Sequence, residues 1–110
     1  MKFPPDIEAE VSFLSTEDGG RSRPVHTGYR GQFYYKGENW DADQEYLGRD
    51  CVRPGDTART LFRFLSPHAH VDHLEVGTEF EIREGVRVIA RGTVIRILHL
   101  KENARRTMES

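Results

Sequence analysis

The sequence predicts an all-β domain, and three observations indicate it. Apolar residues recur at every second position in several segments, turns rich in Gly and Pro separate those segments, and no segment has the 3.6-residue period of a convincing amphipathic helix. A closed barrel is the favoured arrangement because it leaves no sheet edge exposed. With 110 residues, of which 36% are hydrophobic, the chain can form one domain with a modest core.

The N-terminal half contains two clear strand patterns. In "DIEAEVSFL", the apolar residues from Ile7 to Phe13 alternate with polar ones, which predicts a half-buried strand. The following "STEDGGRSRP" is dense in turn-forming residues and predicts a long loop. "GQFYYK" predicts a second strand, with Phe33 and Tyr35 on one face and Tyr34 on the other.

The second half predicts the remaining strands. "GENWDADQEYLGRD" has a weaker pattern, in which Trp40, Tyr46 and Leu47 could anchor short strands, and "RPGD" predicts a turn. "TARTLFRFL" and "TEFEIREG" alternate again, and the second is expected to end in a tight hairpin at Gly85. "VRVIARGTVIRIL" predicts a long last strand, with a bulge or sharp bend at Gly92.

These patterns divide the chain into a lead-in at residues 1–5, a single barrel domain at residues 6–100 and a polar tail at residues 101–110. The tail "KENARRTMES" is expected to be frayed or a short solvent-exposed helix. The lone Cys51 excludes a disulfide framework and favours a reducing, cytoplasmic compartment. The sequence has no signal-like apolar run and no membrane-spanning stretch, and its net charge of -2 does not demand nucleic acid as a partner.

Four segments, taken in order, resemble one protein family. They are "EAEVSFLSTEDGGRSRPVHTGYRGQFYY", "VRPGDTARTLFRFLSP", "TEFEIREGVRV" and "GTVIRIL". Together they resemble the third, C-terminal β-barrel domain of translation elongation factor Tu, whose motifs are E-G-G-R, G-Y-R-P-Q-F-Y, P-G-D and F-A-I-R-E-G. The resemblance covers roughly residues 6–98 and implies a six-stranded antiparallel Greek-key barrel. In the full factor, this barrel contacts the T-arm backbone of aminoacyl-tRNA and takes part in binding the nucleotide-exchange partner.

The GTPase part of that factor has no counterpart in the sequence. No G-x-x-x-x-G-K-[ST] motif occurs, so the loop that cradles phosphates is missing and GTP binding is not expected. The chain has its own Met1, and we interpret it as a stand-alone barrel whose function differs from that of the full factor.

The resemblance also implies candidate RNA-binding residues. The T-arm contacts of the family carry over to Gln32, Glu84 and Gly85, while Asp41 stands near a position where the family has Thr and would repel phosphate. Short polar side chains and backbone amides suit a sugar–phosphate backbone. Glu84 and Gly85 are equally what a tight hairpin requires, and Gln32 could simply cap a strand. Four nearby basic residues could supply positive charge: Arg21, Arg23, Arg30 and Lys36.

The stretch "HAHVDH" matches the H-x-H-x-D-H zinc-ligand motif of metallo-hydrolases. Such enzymes need further ligands downstream, but only His99 follows His73 and no Asp follows Asp72. We therefore predict an exposed, pH-sensitive polar loop that could capture metal adventitiously, with no physiological metal and no catalytic residue. The adventitious candidates are His68, His70, Asp72 and His73.

These observations favour a non-catalytic protein-interaction module, with a protein partner, without a cofactor, and related to translation. A weak tRNA- or RNA-binding module is the first alternative, and a small metal-dependent hydrolase is a disfavoured second. A barrel without its usual neighbours could also expose former interface, which makes a homodimer possible.

Overall fold

The computed structural model describes residues 3–109 as nine β-strands, one short 3₁₀ turn and one α-helix. The strands are β1 (Ile7–Phe13), β2 (Val25–His26), β3 (Gln32–Tyr35), β4 (Glu38–Trp40), β5 (Ala42–Tyr46), β6 (Cys51–Val52), β7 (Thr57–Phe64), β8 (Glu79–Glu84) and β9 (Arg87–Ile97). The 3₁₀ turn is Pro67–Ala69, and the helix α1 is Leu100–Glu109.

Seven of the strands form one antiparallel sheet in the order β4-β3-β8-β9-β1-β7-β5, and β2 pairs with β6 in a small second sheet. The two outer strands of the large sheet, β4 and β5, are separated in the chain by Asp41 alone. The carbonyl of Asp41 accepts a hydrogen bond of 3.0 Å from the Leu65 amide, so the pairing with the chain after β7 continues through this residue. β4 and β5 therefore act as one bent strand that closes the sheet, which confirms the predicted six-stranded antiparallel barrel.

The alternating patterns place their apolar residues inside the barrel. The apolar positions from Ile7 to Phe13 are buried, as are Ala58, Phe62 and Phe64 of β7, whereas Leu61 of β7 is half-buried. Phe33 and Phe80 stack in the centre with ring centroids 4.1 Å apart, and Phe62 packs edge-on against both rings. Offset stacking and edge-to-face contacts are the favoured geometries for aromatic pairs, so this cluster fixes the interior of the barrel.

The prediction of a bulge at Gly92 is wrong, while the alternative of a sharp bend there stays a prediction. Gly92 pairs in regular register with Phe80 of β8, and the shift between these two strands occurs between Ile82 and Arg83. A Cβ at Gly92 would lie 2.3 Å from Cζ of Phe80. Gly92 is therefore required by packing, because the central phenylalanine ring lies directly over its backbone.

The C-terminal segment is a helix, the second of the two predicted possibilities, but its inner side is buried against the barrel. Leu100, Asn103 and Ala104 are buried, and the Asn103 amide nitrogen donates to the carbonyl of Pro4 at 2.7 Å and to Oδ1 of Asp6 at 2.8 Å. Helix α1 thus ties the chain's two ends together. Within residues 3–109, no helix has both the length and the apolar character needed to span a membrane.

Candidate functional site

The β8–β9 hairpin presents the first two predicted site residues. Glu84 ends β8 and pairs with Arg87, so only Gly85 and Val86 form the turn between the strands. Gly85 has a φ of +63°, a left-handed conformation that side-chain-bearing residues adopt at a cost, and this is the first central position of a two-residue hairpin turn. Gly85 is therefore explained by the turn alone, and the turn places the Glu84 carboxylate at the sheet's end.

Glu84 is the centre of a polar cluster that we call the Arg21–Tyr29–Glu84 cluster. Its Oε2 accepts hydrogen bonds from Nη1 of Arg21 and, at 2.6 Å, from the Tyr29 hydroxyl. The guanidinium of Arg21 lies 5.2 Å from the centroid of the Tyr29 ring, and Nη2 of Arg87 lies 3.4 Å from Oε1 of Glu84. Through Arg21, these contacts attach the loop between β1 and β2 to the β8–β9 hairpin.

The cluster controls the charge of its members. Burial would raise the pKa of Glu84, but the hydrogen bonds from Tyr29 and Arg21 outweigh it and hold the pKa below its usual value. Burial raises the pKa of Tyr29, and the neighbouring carboxylate raises it further. At neutral pH Glu84 is therefore ionised and Tyr29 keeps its proton, so the positive charge of Arg21 faces a full negative charge.

Gln32 lies on the neighbouring strand at the same end of the sheet. It pairs in register with Arg83, the residue before Glu84. Its amide nitrogen donates a hydrogen bond of 2.8 Å to Oδ1 of Asp41. The resemblance implies that the Gln32 side chain contacts a phosphate backbone, but this side chain is already bonded to the Asp41 carboxylate.

Arg83 is also fully engaged. Its guanidinium donates two hydrogen bonds to Oε1 of Glu81, at 2.7 and 2.9 Å, and lies 3.5 Å from the centroid of the Tyr34 ring. Such stacking on an aromatic face further stabilises a guanidinium that is already paired. The positive charge of Arg83, which pairs with Gln32 across the strands, is thus neutralised by Glu81.

The remaining predicted arginines are exposed. The main-chain carbonyl of Arg23 accepts a hydrogen bond from Nε of Arg21, and its own side chain has no ion pair among residues 3–109. Arg30 lines a cleft of about 220 Å³ that also contains Asp41 and Arg63. Of the six predicted RNA-binding residues, Arg21, Glu84 and Gly85 share one cluster with its hairpin, Gln32 bonds Asp41, and Arg30 lines the same cleft as Asp41.

The prediction of an exposed loop is wrong for His70. The 3₁₀ turn has three residues per turn, so Pro67 and His70 point to the same side, and both are buried. The His70 ring lies 4.1 Å from the Phe64 ring and 4.6 Å from the Trp40 ring, measured between centroids. Its Nδ1 and the Tyr35 hydroxyl are 2.7 Å apart and hydrogen-bonded.

This burial opposes the hydrolase alternative. His68, Asp72 and His73 are exposed, whereas His70 lies in the core with Nδ1 already bonded. Burial, with a smaller contribution from the charges of His73 and His68, lowers the pKa of His70 to about 4. Within residues 3–109, no three or more His, Cys, Asp or Glu side chains are grouped so that they could hold a metal ion.

Tyr29 is the member of the cluster that sequence reasoning missed. Its signal was its place in "GYRGQ", which resembles the family motif, but only the polar residues of that motif were taken as candidates. A tyrosine has an apolar ring and a polar tip, so it can pack beside Arg21 and still bond Glu84.

Residues 2–98 match the family model of the elongation factor Tu C-terminal domain. The matched region includes all nine strands and ends before α1 begins.

Proposed function

The chain belongs to the elongation factor Tu C-terminal domain family, and from this we propose that it is a non-catalytic protein-interaction module that acts in the cytoplasm, in or beside translation. In the full factor this domain is a non-catalytic barrel, and GTP hydrolysis belongs to another domain. The module would bind a protein that recognises the third domain of the factor, such as its nucleotide-exchange partner.

The observation that carries this proposal is the internal pairing of the arginines around the β8–β9 hairpin. Arg21 and Arg87 both contact Glu84, and Arg83 contacts Glu81. Affinity for nucleic acid comes largely from free Lys and Arg that replace condensed counterions on phosphates. These two carboxylates offset most of the charge of the three arginines, so the face gains less from phosphate than free arginines would, whereas paired polar groups are compatible with a protein interface.

The tip of the hairpin adds an apolar contact to this face. Val86 is 93% exposed and lies between Gly85 and Arg87. An exposed apolar side chain on a rigid two-residue turn can enter a pocket of a partner at little conformational cost. We therefore place the protein contact at the hairpin tip and the adjoining Arg21–Tyr29–Glu84 cluster.

A binding measurement tests this proposal. The immobilised chain is titrated with the purified nucleotide-exchange partner of the factor, in competition with the authentic third domain of that factor. We expect saturable binding that the authentic domain competes away, and a loss of roughly tenfold or more in affinity for Val86→Asp. Leu47→Asp, which changes an exposed apolar residue elsewhere, is the control and should bind normally. Absence of binding by the unmodified chain would refute the proposed partner.

RNA binding is the second candidate, and the exposed side chains of Arg23 and Arg30 favour it. Titration of labelled tRNA at low and moderate salt separates the two candidates. The protein-interaction proposal predicts no saturable binding at moderate salt. Binding with a steep salt dependence, lost in the Gln32→Ala, Arg30→Ala double variant, would instead establish the RNA-binding function.

A further inference from the structure

A mainly apolar groove of about 330 Å³ lies where the chain after the 3₁₀ turn, the end of β9 and the start of α1 meet. Leu74 and Leu100 are buried and form its floor, while Val76 is 65% exposed and Ile97 is 38% exposed. Two exposed apolar side chains beside a buried apolar floor form a continuous surface whose removal from water is favourable.

Charges of both signs border this groove. Asp72 and Glu75 come from the chain before β8, and Lys101 comes from the first turn of α1. Within the part of the chain that the structure describes, none of the three has an ion-pair partner. The groove thus combines apolar residues with unneutralised acidic and basic side chains.

We propose that this groove is the contact surface of a two-fold symmetric homodimer, in which Lys101 of one protomer faces the partner's Glu75 and the apolar residues pack between the two ion pairs. A two-fold interface brings the same patch of both protomers together, so the patch must be complementary to itself. A purely acidic or purely basic rim would repel its own copy, whereas a rim of both signs is attracted in both halves of the interface.

Two further observations support a second copy as the occupant. The net charge of the whole chain is only -2, so long-range repulsion between two copies is small. Leu100 and Lys101 lie beyond residue 98, where the match to the family ends, so two of the eight residues that line the groove are outside the family domain. The groove is lined by eight residues, whereas a standard interface has about 20–30 residues a side, so the dimer should be weak and concentration-dependent.

Charge reversal tests this geometry. Sedimentation velocity of the full chain over a wide concentration range should show a reversible monomer–dimer equilibrium. Lys101→Glu places acid against acid in both halves of the interface, and Glu75→Lys places base against base. Each variant alone should therefore dimerise at least roughly tenfold more weakly than the unmodified chain. Arg105→Glu, an exposed change on the same helix, is the control and should leave dimerisation unchanged.

An equimolar mixture of the two reversed variants gives the decisive result. In the mixed dimer each reversed residue meets an opposite charge, so we expect a heterodimer that restores the affinity of the unmodified chain. This restoration also shows that both variants are folded. The proposal is overturned if the unmodified chain stays monomeric at all concentrations, if both reversed variants dimerise normally, or if the mixture remains monomeric.

Discussion

His70 illustrates how a polar side chain becomes part of a core. Its ring is flat and packs among Phe64 and Trp40, and its Nδ1 is bonded to the Tyr35 hydroxyl. Burial also raises the pKa of Tyr35 to about 12, so both members of this pair are neutral at neutral pH. A neutral imidazole can be buried in this way, but a protonated one would lose its hydration without gaining a counter-charge.

We therefore expect acid to destabilise the protein through His70. The folded state lowers its pKa to about 4 from an ordinary value of 6.5, so between these pH values only the unfolded chain binds the proton. The contribution of neutral His70 to the free energy of unfolding is complete above about pH 6.5. It decreases as the pH falls toward 4, by about 1.4 kcal/mol per pH unit and about 3 kcal/mol in total. Urea unfolding from pH 4.5 to 7.5 measures this slope.

His70→Phe, which fills the space beside Phe64 and Trp40 without a titrating group, should flatten that slope. Burial raises the pKa of Asp6, which acts in the opposite direction at acid pH, and comparison of the two proteins cancels this contribution. His26→Gln changes an exposed histidine that does not act on His70 and should keep the original slope. Parallel pH profiles for the unmodified chain and His70→Phe would rule out His70 as the source.

Gly92 gives a second prediction at this scale. Gly92→Ala would place a Cβ 2.3 Å from Cζ of Phe80, whose ring is held by its stack on Phe33. We expect a loss of about 1–3 kcal/mol in the free energy of unfolding, because overpacking a filled core forces neighbours to shift. Thermal and urea unfolding of Gly92→Ala measure this loss, and the exposed neighbour Arg91→Ala should show almost none.

A double-mutant cycle identifies the cause. If the clash with Phe80 produces the loss, Gly92→Ala should cost clearly less in a Phe80→Leu background than in the unmodified protein. Equal costs in the two backgrounds would show that the conformation of residue 92, rather than contact with the ring, is responsible.

At the scale of elements, the strands could be read from the sequence but α1's packing could not. In a strand such as β1, the alternation of apolar and polar residues indicates which face is buried. Helix α1 has few apolar residues, and its buried side consists of Leu100, Ala104 and an asparagine. Asn103 is buried because the chain end at Pro4 and Asp6 supplies acceptors, and a partner 97 residues away cannot be recognised from local composition.

Asn103 should therefore have a large effect for a polar residue. Asn103→Ala leaves the carbonyl of Pro4 and Oδ1 of Asp6 without the amide that bonds both. A buried acceptor that loses its donor costs about 1–3 kcal/mol, and we expect a loss of that size in urea unfolding, with faster hydrogen exchange in α1. Arg105→Ala, on the exposed side of the helix, should be nearly neutral, and an equal loss in both variants would contradict the role of these bonds.

At the scale of the whole molecule, ion pairs formed on folding change the interpretation of the arginines seen in the sequence. The string shows several arginines near Gln32, and free arginines would indicate nucleic-acid binding. The folded chain pairs Arg21 with Glu84, which is 63 residues away, and Arg63 with Glu45. The sequence therefore identifies the arginines, but only their pairing across strands decides whether their charge is free to bind a phosphate.

The fold as a whole is more predictable, because it depends on periodicity, turns and the family's motifs, and each of these is local. The same reasoning did not find the closure of the barrel at Asp41, where β4 and β5 join into one bent strand. Nor did it find the pairing of β2 with β6. Strands of two residues have no recognisable period, so their pairing is decided by the packing around them.

The barrel should fold without α1, although less stably. All nine strands end by Ile97, so a chain of residues 1–99 keeps every strand pairing. It loses the burial of the Leu100 side chain, about 1.5–3 kcal/mol, and the hydrogen bonds of Asn103, so we expect a total loss of about 3–5 kcal/mol. Circular dichroism should show the β-sheet signal of the full chain with a lower unfolding midpoint. An unfolded 1–99 chain would instead show that the helix is required to complete the fold.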